Sequence, residues 1–126
     1  MLKPAQLEEI RTFLKNLARE NKLDGLLLAD IEGLPLVSYL AEEGMDEDAL
    51  AAAGAAIFTA SLMTASDAKK KGVDQVIVHS PDGYIIYTQV MEDVVLGLIA
   101  PKDAKLGILK MIVKEIQDKL EEYKNS

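Results

Sequence analysis

Between Ala49 and Ser66 the chain reads ALAAAGAAIFTASLMTAS, 18 residues without a charge in a protein whose residues are 28% charged. Asp46, Glu47 and Asp48 precede this stretch, and Asp67, Lys69, Lys70, Lys71 and Gly72 follow it. Acids at the front, with lysines and then glycine at the back, are what a helix dipole and a C-terminal cap favour. The spacing predicts one helix from about Asp46 to Lys70, about 36 Å long at a rise of 1.5 Å per residue.

On a 100° wheel this helix has two faces. Leu50, Gly54, Ile57, Phe58, Ser61, Leu62 and Ala65 share one, and its large apolar side chains suit the protein's own core. Ala52, Ala55, Ala56, Thr59, Ala60, Met63 and Ser66 share the other. An ordinary surface helix carries Lys and Glu there. Small uncharged residues instead suit close approach by a partner, so the helix is expected to be covered twice, once by its own chain and once by another. Three other readings fit such a segment: a transmembrane span near the lower length limit, a helix inside one larger core, and a solvated alanine-rich helix of high propensity. The Ala, Gly, Thr and Ser content argues against the span, and the partner surface explains best why the outer face lacks charge.

At 126 residues the chain fits one domain, 1–126, with a real core. Its net charge of −7 argues against nucleic acid and anionic membrane as main partners, because both call for a basic surface. There is no cysteine, hence no disulfide, thiol nucleophile or thiolate metal site; this suits a cytoplasmic protein. The charged start, MLKPAQLEEIRTFLKN, has no apolar core of a signal peptide. Only Lys124–Ser126 are expected to fray.

Pro4 suits a first helical turn. Leu7, Ile10, Leu14 and Leu17 then recur at helical spacing, which predicts a helix over Pro4 to Asn21. Leu26 to Ala29 and Leu34 to Tyr39 flank a turn at Asp30-Ile31-Glu32-Gly33 and read as a β-hairpin. Pro35 removes a ladder donor, so the second of these strands is expected to lie at an edge or to begin there. After Gly72, strands are expected over Val73–His79, Tyr84–Val90 and Val94–Ala100, with a last helix from Lys102 to Tyr123 striped by Leu106, Leu109, Ile112, Val113, Ile116 and Leu120. The order α-β-β-α-β-β-β-α, with two unbroken apolar strands, predicts a three-layer α/β (α+β) sandwich. Its five-stranded sheet is mostly antiparallel, with the outer helices on one face and the alanine-rich helix on the other.

No catalytic, cofactor-binding or metal-binding residue emerges. His79 is the single histidine and reads as a strand-end residue beside a turn. Ser80-Pro81-Asp82-Gly83 has the composition of a turn rather than of a nucleophile site. Neither G-x-x-x-x-G-K-[ST] nor G-x-G-x-x-G occurs. Glu42-Glu43 and Asp46-Glu47-Asp48 read as a solvated loop and a helix start, and Lys69–Lys71 as a complement to a helix end.

Asp24-Gly25-Leu26-Leu27-Leu28-Ala29-Asp30, Glu32-Gly33-Leu34-Pro35-Leu36-Val37-Ser38, the small-residue helix and Gly83-Tyr84-Ile85-Ile86-Tyr87 together resemble the Roadblock / dynein light-chain family, a relative of longin and profilin-like folds. A stand-alone domain is most similar to the prokaryotic branch, typified by MglB-type regulators of Ras-like GTPases. The resemblance implies a homodimer or heterodimer, here taken as a homodimer, in which the third strands pair and the central helices lie side by side. It also implies a two-helix platform that contacts a small GTPase, and no enzymatic activity or cofactor of its own. Carried over by position, the dimer strand is Val73 to His79, with Val73, Gln75, Ile77 and His79 along it. The helix contact uses Ala52, Ala55, Ala56, Thr59 and Met63, with Ala60 and Ser66 on the same face. Two functions are compatible with this: a GTPase-activating or GTPase-binding platform, and a scaffold of the light-chain kind that joins larger motor or motility proteins without affecting nucleotide turnover. A small-molecule sensor ranks third, because no converging polar groups are legible in the core.

Overall fold

The computed structural model describes residues 2–124; of the end expected to fray, the part past Lys124 lies outside these. Helix α1 spans Pro4–Glu20, β1 Gly25–Asp30, β2 Pro35–Leu40, α2 Glu47–Asp67, β3 Val76–Ser80, β4 Gly83–Met91, β5 Val94–Pro101 and α3 Leu106–Glu121. The strands form one sheet in the order β2-β1-β5-β4-β3, with every neighbouring pair antiparallel. The two unbroken apolar strands, β1 and β5, are inside the sheet, and β2, the strand that begins with Pro35, is at an edge.

Side chains of β1 alternate across the sheet. Leu26 and Leu28 join α1 and α3 in one cluster with Ile10, Leu14, Ile86, Leu96, Leu98, Leu109 and Ile116. Leu27 and Ala29 face the other way and meet Ala51 of α2. Phe58, Tyr87 and Val95 continue that second layer, with Ile57, Leu62, Val76 and Ile85 around them. This is the expected sandwich of two outer helices on one face and α2 on the other.

Chain ends of the elements differ from the sequence reading for local reasons. The N-terminal cap of α2 is Asp46, whose carboxylate accepts from the Ala49 N–H at 3.1 Å. The helix stops at Asp67 instead of Lys70. Lys69 takes a positive φ of 61°, and the N–H groups of Lys69 and Lys70 turn back to the Ser66 and Ala65 carbonyls, so a lysine fills the left-handed position that glycine usually takes. Gly72 comes later, in the loop. Strand β3 begins at Val76 rather than Val73. The Asp74 carbonyl is drawn to the Thr88 hydroxyl at 2.5 Å, and ladder pairing with β4 starts only at Val76 opposite Tyr87. Helix α3 begins at Leu106 rather than Lys102, because Ala104 closes a turn onto the Pro101 carbonyl.

Close approach of α2 to the sheet depends on two glycines around one ring. A Cβ on Gly54 would sit 2.4 Å from the Tyr87 ring, and one on Gly97 3.0 Å from it. The ring therefore lies in the space both glycines leave, and its hydroxyl donates to the Leu50 carbonyl at 3.3 Å. Alanine at position 54 would gain about 1 kcal/mol in helix propensity, but a larger side chain forces helix and sheet apart. Gly54→Val is expected to destabilise the fold by about 2–4 kcal/mol in urea unfolding; an unchanged midpoint would show that the spacing is not set here.

Asp24 ends the turn before β1. Burial raises its carboxyl above the usual range, and the Glu42 and Asp103 carboxylates raise it further. A raised folded-state pKa means that any stability linked to this group is greatest where it is protonated and falls as pH rises through the carboxylate range. Asp24→Asn should therefore raise the melting temperature at pH 7 and bring little change near pH 3. A thermal melt at both values checks the sign.

Candidate protein-interaction surface

Only 22% of the most apolar stretch of α2 is buried inside the chain. Among the described residues it is the one helix long and apolar enough to cross a membrane. Here it lies on the sheet: Ala51, Gly54, Ala55 and Phe58 form its buried line, and Phe58 would be stripped of Tyr87 and Val95 if the helix left. What remains outward is uncharged and unpartnered in the monomer. Met63 is 65% exposed, and Ala52, Ala56, Thr59, Ala60 and Ser66 lie outside the buried line as well. Ala55 is the exception among the residues expected to face outward. The buried line is rotated from the wheel's, and the β1–β2 turn comes close on that side: a Cβ on Gly33, at φ 98°, would lie 3.2 Å from Ala52 and 3.8 Å from Ala55.

That turn is built by Asp30, whose carboxylate accepts from the N–H groups of Glu32 at 3.0 Å and Leu34 at 3.1 Å. It holds Ile31 and Leu34 outward, 40% and 62% exposed. A shallow groove of about 390 Å³ runs between turn and helix, lined by Ile31, Glu32, Ala52, Ala55, Ala56, Thr59, Ala60 and Met63. The exposed turn residues Ile31 and Leu34 were not singled out in the sequence. Two apolar residues bracketing a Glu-Gly turn were the available signal.

The second predicted surface is the outer edge of β3. Among the described residues this strand pairs only with β4, so its far side offers backbone groups that no described strand pairs with. Ile77 and Val78 are 41% and 38% exposed, and His79 is exposed and stacked on Tyr84 with ring centroids 4.6 Å apart. Val73 and Gln75 are half-buried and precede the strand. An open edge of apolar residues is a template for strand pairing unless something covers it.

The residues weighed for chemistry sit in structural roles. The Ser80 hydroxyl accepts from the Asp82 N–H at 3.1 Å inside the β3–β4 turn. Among the described residues no group of His, Asp and Glu is placed to hold a metal ion. A wider hollow of about 580 Å³ on the opposite sheet face lies between α3 and the β3–β4 edge; it is open and lined by Lys110, Lys114, Gln75, Gln89 and Gln117 among others.

The fold matches known structures closely. Superposition on Myxococcus xanthus MglB gives a TM-score of 0.85 at 19% identity, over 95% of this chain and 90% of that one. The gliding protein MglB of Thermus thermophilus gives 0.80 at 22% identity, over 93% and 89%. A Roadblock/LC7 domain from Streptomyces avermitilis gives 0.81 at 15%, over 92% and 98%. No curated protein sequence matches the chain. Residues 9–100 match the sequence model of the Roadblock/LC7 domain, a span that takes in most of α1, the first four strands, all but the last residue of β5 and the exposed small-residue face of α2, and the chain belongs to the Roadblock/LC7 family.

Proposed function

We propose that this protein is a non-enzymatic, homodimeric, cytoplasmic regulator of a small Ras-like GTPase. The observation that carries the reading is an apolar, charge-free helix face left uncovered on a Roadblock fold, beside an open strand edge. An edge strand satisfied by its own counterpart gives an isologous two-fold dimer, and α2 with its symmetry mate makes the broad surface that a stable complex of roughly 1,200–2,000 Å² needs. The likeness to MglB structures supports this branch of the family over the light-chain branch. The GTPase assignment rests on the family resemblance.

Helix α2 contains no arginine, so an arginine finger from this face is excluded. Any acceleration of hydrolysis acts by ordering the GTPase's own water-positioning residues. The test is single-turnover GTP hydrolysis by the Ras-like GTPase encoded in the same genome, with and without a twofold excess of this protein, alongside light scattering behind size exclusion. A complex with faster hydrolysis is the expected result. A complex without acceleration makes the protein a tether, and no complex in either nucleotide state overturns the GTPase reading.

A further inference from the structure

Strand β3 parts from its neighbour early. Its ladder with β4 ends at Val76 opposite Tyr87, so Thr88 to Met91 run on without a described β3 partner. The β4–β5 register slips at the same place, between Gln89 and Met91. Irregularities of this kind end pairing and re-aim side chains. The Thr88 hydroxyl donates to the Asp74 carbonyl, which keeps the segment before β3 beside β4 without adding it to the ladder. Helix α3 packs over β4. The hollow of about 580 Å³ is the space left among helix, strand end and this segment. Small-ligand sites occupy roughly 300–1,000 Å³.

The polar lining divides by element. Lys110, Lys114 and Gln117 belong to α3, whereas Asp74 and Gln75 precede β3 and Glu92 follows β4. Cations thus come from the helix and carboxylates from the strand ends. Among the described residues no ion pair joins the two sets. Lys114 pairs with Asp118, one turn along its own helix, and the side chains of Lys110, Asp74 and Glu92 form no ion pair at all. Glutamine amides both donate and accept, as peptide groups do, and Val90 and Val113 add apolar surface. Charges of both signs, amides and an apolar floor in one hollow complement a short peptide with free ends. We infer that the hollow binds such a peptide. Its carboxylate goes to Lys110 and Lys114, its ammonium group to Asp74 and Glu92, its amides to the glutamines, and a side chain to Val90 and Val113. Blocking either end removes a charge that the site can pair, so free peptides are preferred to segments inside a protein chain. The site lies on the sheet face away from α2, and the inference does not rest on the regulator reading.

The probes are the tripeptide Ala-Leu-Ala, its N-acetylated form and its C-amidated form, titrated into the full chain and followed by amide NMR shifts. The free tripeptide should move the Asp74, Gln75, Lys110 and Gln117 signals along one saturating curve, with a Kd of about 1 mM or below. Each blocked form should bind at least about threefold more weakly, the order expected of partly exposed ion pairs, and the gap should close in high salt. Lys110→Glu should abolish the preference for a free carboxylate and keep that for a free amine. Asp74→Asn combined with Glu92→Gln should do the reverse. All three positions are exposed, so melting temperatures should hold; if Lys110→Glu melts lower, Lys110→Gln repeats the test without the added charge. No saturable shift at these residues, equal binding of all three probes, or variants that leave both preferences intact overturns the inference.

Discussion

The Tyr87 ring, seated between Gly54 of α2 and Gly97 of β5, is the contact on which the arrangement depends. It sets how near α2 comes to the sheet, and the nearness has two consequences. Small residues can complete the layer, so Ala51 and Ala55 are buried where a more distant helix would need leucine. The helix also lies near the β1–β2 turn, where a Cβ on Gly33 would come within 3.2 Å of Ala52. The groove is thus a product of helix–sheet spacing as much as of the residues that line it.

The two faces of the sheet are stabilised differently. On the α1–α3 side a broad aliphatic cluster runs through Ile10, Leu14, Leu26, Leu96, Leu98, Leu109 and Ile116. Burial of side chains such as these contributes about 1.5–3 kcal/mol each before chain entropy is set against it. The α2 side holds smaller clusters centred on Phe58, Tyr87 and Val95 and on Leu27, Ala29 and Ala51. A helix held by a short buried line and left bare on the rest is poorly explained as a means of stabilising the monomer. It is well explained as a surface held in place for contact.

Much of this was legible in the sequence because periodicity and burial coincide. Leu109, Ile112, Val113, Ile116 and Leu120 recur as one buried stripe, although Leu106, expected in it, is 38% exposed at the start of the helix, and the unbroken run Leu26–Ala29 is covered on both faces. The chain order and the Pro35 edge position followed from the same rules. Three features were hidden. The wheel placed Ala55 outward because it treats large residues as the guide to the core, whereas the buried line of α2 runs through the small residues Ala51, Gly54 and Ala55. The end of α2 fell short because a lysine adopted the conformation usually left to glycine. Strand β3 starts late because a side-chain hydroxyl, from Thr88, captured the Asp74 carbonyl. Periodicity is silent on such features, whether local, as at Lys69, or between residues far apart in the chain, as at Thr88 and Asp74.

The central claim is that the β3 edge is covered by its own counterpart in solution. The chain has no cysteine, so one introduced at His79 and nitroxide-labelled reports only distances between copies. Paired strands lie about 4.8 Å apart, so dipolar spectroscopy should give one narrow inter-label distance below about 30 Å once strand offset and label tethers are included. A control label on exposed Lys15 of α1 should give a longer one. No dipolar coupling at His79 at micromolar concentration, or a distance there as long as that from Lys15, would contradict the account.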